Sequence, residues 1–64
     1  MYGNFSIMMS EVTERGFLTL ETGTNRKGHP VYRVMLFDGQ HWSGGRYRTF
    51  DAAHTTYKFM RSVI

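Results

Sequence analysis

The sequence predicts an α+β fold: a three- to four-stranded antiparallel meander with one C-terminal helix packed on one face. Three observations carry this. Val31 to Phe37 alternates cleanly, with Tyr32, Val34 and Leu36 on one parity and Val31, Arg33, Met35 and Phe37 on the other, as a strand with two distinct faces requires. Short turn signals, Thr13-Glu14-Arg15-Gly16 and Asp38-Gly39, separate the extended segments, and strands joined by short turns usually pair in sequence order. Finally, Ala53, Tyr57, Met60 and Ile64 recur at helical spacing with Val63 beside them, a single apolar face.

The elements follow in order. Residues 4–12 alternate imperfectly, Phe5, Ile7 and Met9 against Met8 and Val12, so a strand competes with a turn or two of helix. The turn after it ends at Gly16, a residue suited to positive φ. Residues 17–22 form the second strand, Leu18 and Leu20 inward, Thr19 and Glu21 outward. Gly23 to Pro30 is a polar hairpin loop, and residues 31–37 are the third strand. Gln40 to Ser43 is a short extension, and Gly44-Gly45 lets the chain bend. A basic strand over 45–50 then leads into a helix over 52–63, with the Asp51 carboxylate placed to cap its free amides.

At 64 residues the chain is expected to be one domain, near the lower size limit for a core that is stable unaided. It has no cysteine, which excludes disulfides and thiolate zinc sites, and its aromatic content of 16% must supply much of the burial. Self-association into a homodimer, or a partner, could supply the rest. No apolar run reaches the length of a membrane span, and no signal peptide is evident, so a cytoplasmic protein without membrane contact is the expectation.

Catalysis finds little support. His29, His41 and His54 lack metal-ligand spacing, and no paired carboxylates, Walker loop or HExxH motif occurs. Gly44-Gly45 is too short for a phosphate cradle. The expectation is a non-enzyme with no cofactor, no metal and no catalytic residue.

Charge is more informative. The formal net charge is +3, and its distribution is uneven: Glu11, Glu14, Glu21 and Asp38 precede position 40, whereas Arg46, Arg48, Lys58 and Arg61 face only Asp51 beyond it. Such a balance suits nucleic acid. Arg46 and Arg48 share a parity, Arg33 takes the corresponding one on its own strand, and Arg26, Lys27 and His29 stand at a hairpin tip within reach of a backbone phosphate. Trp42 and Tyr47 could stack on bases or fill the core. The bland reading is a solvated sheet face covered by arginine stems.

The order of Tyr32-Arg33-Val34, Phe37-Asp38-Gly39, Arg48-Thr49-Phe50-Asp51-Ala52-Ala53 and Tyr57 resembles the DNA-binding domain of ethylene-response-factor type and the related arm-binding domain of phage and transposon integrases. The resemblance implies a three-stranded sheet on a C-terminal helix whose outer face enters the major groove of duplex DNA. It also implies contacts from Arg26, Arg33, Arg46, Arg48 and Trp42. The chain departs from that pattern in carrying Thr49 where the family has Gly, a longer Gln40 to Gly45 connection, and His54-Thr55-Thr56 in the helix. A double-stranded RNA-binding domain also ends in a sheet and a helix, but its lysine cluster is replaced here by Ala52, Ala53 and His54.

A second class remains open. Met35 and Phe37 on the uncovered face have the composition of a protein-interface core, so a small inhibitor or adaptor docking through that face or through an edge strand is the alternative.

Overall fold

A computed structural model describes residues 5–63. Asn4 and Ile64, included above in the first strand and on the helix face, lie outside the described residues. Four strands, β1 (Ser6–Thr13), β2 (Gly16–Thr24), β3 (Pro30–Phe37) and β4 (Trp42–Tyr47), precede one helix, α1 (Phe50–Val63). The strands form one antiparallel sheet in the order β1-β2-β3-β4, the expected meander. The first segment is therefore strand rather than helix.

Its imperfect alternation has a physical cause. The pairing register shifts between Ile7, opposite Glu21, and Met9, opposite Leu20, so Met8 is a bulge. One extra residue reverses the facing of everything beyond it. Ile7 thus lies with Glu21 on the outer face, while Met9 and Glu11 join Leu20 and Leu18 on the inner one.

The inner face carries the core. Leu18, Leu20 and Val34 from the two central strands meet Ala53 and Tyr57 of α1, all fully buried, with Met9, Tyr32, Leu36, Tyr47, Phe50 and Met60 packed around them. Each fully buried aliphatic side chain contributes roughly 1.5–3 kcal/mol, which is how so small a sheet holds its helix. The helix lies over β2 and β3 and reaches β4. An Arg61–Glu11 ion pair of 2.9 Å ties its last turn to β1. Val63, at the margin of the predicted apolar face, is instead 57% exposed, as is Phe59 at 65%.

Three local expectations are corrected. β4 occupies Trp42–Tyr47, not 45–50, and takes in both Gly44 and Gly45. The preceding loop closes early because the Asp38 carboxylate accepts the amides of Gln40 and His41 at 2.9 and 2.7 Å, returning the chain to the sheet at Trp42. Those same bonds hold the Asp38 carboxyl below its usual range, His41's amide contributing most.

The helix begins at Phe50, not Ala52, because Thr49 caps it. The Thr49 hydroxyl accepts the Ala52 amide at 3.2 Å, which leaves Asp51 in the first turn as a favourable charge. Phe50 then stacks on His54 and meets Tyr32 edge-on. Gly16, lastly, does not have positive φ. A side chain there would overlap the Phe37 carbonyl group, so close backbone approach is what requires glycine. No helix among the described residues is long and apolar enough to cross a membrane.

Candidate nucleic-acid interface

Antiparallel pairing brings the β2–β3 loop and the exit of β4 to one end of the sheet. Thr24 pairs with Pro30 at the mouth of the loop, and Tyr32 pairs with Tyr47 just beyond. Asn25 organises the loop itself. Its side-chain oxygen accepts the amides of Lys27 and His29 at 2.9 and 3.0 Å, and its backbone bonds to His29 and Gly28 close the turn. Gly28 sits at φ 83°, a conformation open to glycine at no steric cost. A loop so tied presents its cations from a rigid base.

The result is an open groove between this loop and the end of β4. It is lined by Arg26, Lys27 and His29 on one side and by Arg46 and Arg48 on the other, with Tyr47 between them. No acidic residue lines it among the described residues. The groove is rich in positive charge, and Arg head groups offer planar forks that suit phosphate oxygens.

The other predicted contacts lie elsewhere. Arg33 faces Arg46 across the strands on the outer face, in the row Glu21, Arg33, Arg46. Its guanidinium is engaged by Glu21 through Nε at 3.2 Å and through Nη2, and Phe5 covers it at 4.0 Å from the ring centroid. The second carboxylate oxygen of Glu21 accepts the Thr19 hydroxyl at 2.8 Å. Thr19 and Glu21 are both buried although they face away from the helix. Withdrawing Arg33 would strand a nearly enclosed carboxylate. That costs about 3 kcal/mol, the low end for buried pairs because the arginine is 30% exposed. A guanine fork discriminates between bases by ~1–3 kcal/mol, at or below that cost, which favours retention of the pair.

Trp42 belongs to the opposite end of β4. It packs on Phe37 at 4.9 Å between ring centroids, and the register extends this contact into a row across the sheet, Val12, Phe17, Phe37, Trp42, with Met35 one step along. Val12 is 84% and Trp42 53% exposed. The outer face is therefore divided, apolar at the end near the Asp38 loop and polar near the groove. His41 and His54 lie on the β3–β4 loop and the helix, apart from the loop that carries His29.

Sequence reasoning missed the restraint on Arg33. The signal is present, since strand alternation puts Glu21 and Arg33 each on the outward parity, but only the inter-strand register makes them opposite neighbours. It also missed Asn25, whose side chain builds the loop that carries Arg26 and Lys27.

No protein family, curated protein or solved structure matches the chain. The resemblance to ethylene-response-factor and integrase arm-binding domains accordingly rests on the sequence motif alone. What the architecture defines is a small four-stranded meander with one C-terminal helix and a cationic groove at one end.

Proposed function

We propose that this chain is a small, non-enzymatic nucleic-acid-binding module that holds duplex DNA through the cationic groove. The supporting observation is the shared lining of that groove by Arg26, Lys27, Arg46 and Arg48, which are far apart in sequence and brought together by strand pairing. Each is a long, permanently charged side chain of the kind that meets backbone phosphates. The contact surface in this reading is the end of the sheet rather than its broad outer face.

Titration of a short duplex at two salt concentrations tests it. Counterion release makes affinity fall steeply with salt. Arg26→Ala and Arg48→Ala should each weaken binding and reduce the salt slope by about one unit. Both positions are exposed, so circular dichroism should show an unchanged fold. No measurable affinity for any duplex at low salt overturns the proposal.

A second reading, a protein-binding inhibitor or adaptor, is favoured by the apolar row around Phe37 and Trp42. In that case Met35→Ala and Phe37→Ala would weaken partner binding most, because apolar anchors at the centre of a patch dominate such interfaces. Arg26 and Arg48 would then mainly affect association rate.

A further inference from the structure

The geometry points to Glu21 as the residue that keeps this interface indifferent to base sequence, by withholding Arg33 from the nucleic acid. This rests on the groove being a duplex-binding site.

Base edges are read by side chains that stand clear of the protein with unengaged forks, whereas phosphates are met by cations at a concave rim. The groove residues are of the second kind: Arg26 and Lys27 on a loop, Arg46 and Arg48 at a strand exit, all turned to one concavity. Arg33 is the cation that would extend this set onto the flat outer face, since it stands directly opposite Arg46. Two of its donors go to Glu21 Oε1, and the Phe5 ring covers its plane.

Glu21 is itself fixed from its other oxygen by Thr19. Neither partner can turn outward without leaving a buried polar group unpaired. The stack of Thr19, Glu21 and Arg33 therefore holds back the arginine that neighbours Arg46 on the outer face, and the groove residues that remain meet the phosphodiester backbone.

The test uses two duplexes of equal length, one purely A·T and one with guanine on both strands, with the full chain and three proteins: wild type, Glu21→Gln, and the Glu21→Gln/Arg33→Gln double variant. Wild type should bind both duplexes within about threefold. Its salt slope should be near −3 to −4, the value for about four phosphate contacts at roughly −0.9 each.

Glu21→Gln weakens the hold on Arg33 while keeping an acceptor for Thr19. It should bind more tightly overall and favour the guanine duplex at least fivefold, the lower limit for a bidentate base contact. The double variant restores the wild-type net charge without either ion. It should bind like wild type within twofold, with no preference, which shows that the gain in Glu21→Gln requires the Arg33 guanidinium.

A wild-type preference above fivefold, a Glu21→Gln protein that folds without gaining preference, or a double variant that loses affinity each overturns the inference while leaving duplex binding intact. Absence of binding by all three overturns the duplex reading and this inference with it.

Discussion

Gly44 lies against the backbone of Val34 so closely that a Cβ at position 44 would stand 2.9 Å from the Val34 carbonyl carbon and nearer still to its oxygen. The residue also sits at φ 150°, where side chains are rarely tolerated. Gly44→Ala should therefore cost about 3 kcal/mol, from overlap and backbone strain together, and shift the denaturant midpoint accordingly. Gly45→Ala is the control. Its Cβ would first meet the Tyr47 hydroxyl, at 3.7 Å, an ordinary contact, and its effect should stay within about 1 kcal/mol. Equal effects at the two positions would refute this account of β4.

The helix start offers a sharper comparison. Thr49→Ala should destabilise by about 1 kcal/mol through loss of the acceptor for the Ala52 amide. Asp51→Ala removes only a first-turn charge and should cost ~0.3–1 kcal/mol at low salt, shrinking as salt screens it. Denaturant titrations of both variants at two ionic strengths separate the cap from the charge.

Tyr57 is fully buried and its hydroxyl has no hydrogen-bond partner in the structure. An unpaired buried hydroxyl costs ~1–3 kcal/mol, so Tyr57→Phe should stabilise the domain by about 1 kcal/mol, whereas Tyr57→Ala should lose 3 kcal/mol or more to the cavity it leaves. Burial pushes the Tyr57 phenol above its ordinary 10.0, with Glu11 adding to the rise and Arg61 opposing it. The unfolded chain then gives up this proton first as pH rises past 10, so the folded state loses stability there. Phe at position 57 should remove that part of the alkaline decline, measured as the melting temperature from pH 9 upward.

Asp38 acts at the other end of the scale. Its carboxyl is held below 3.8 by the amides of His41 and Gln40, so it binds protons more weakly when folded than when unfolded. That contribution is complete above the unfolded value and is lost as pH falls from there through the folded one. Asp38→Asn retains a side-chain oxygen for the two amides and should flatten the acid limb of the melting-temperature profile as pH falls below the unfolded value of 3.8. An unchanged acid limb would place the pH dependence on another carboxylate.

Much of this architecture is legible because the decisive residues act within their own segment. Leu18, Leu20 and Val34 alternate as strands must, and Ala53, Tyr57 and Met60 return on one helical face, so sheet, helix and core follow from local periodicity. The candidate site is less so. Arg26 and Lys27 are recognisable at a hairpin tip, but whether Arg33 joins them depends on a partner on another strand, Glu21, and on the ring of Phe5. Boundaries failed where side chains compete for backbone amides. Thr49 and Asp51 are both good caps, and only the geometry of the first turn selects between them. Likewise a glycine pair reads as a bend until the proximity of Val34 shows why a strand would need it.

The bulge at Met8 bears on how the molecule behaves in a crowded solution. β1 is an outer strand of the sheet, and an unbroken outer strand invites strangers to add on, one after another, into fibrils. Ile7 and Met8, 58% and 47% exposed, would make that edge a sticky one. The extra residue breaks the even spacing of its outward amides and carbonyls and sharpens its twist. An incoming chain can therefore match only a few residues on either side before it falls out of step. The irregularity at Met8 thus works against strand addition along this edge.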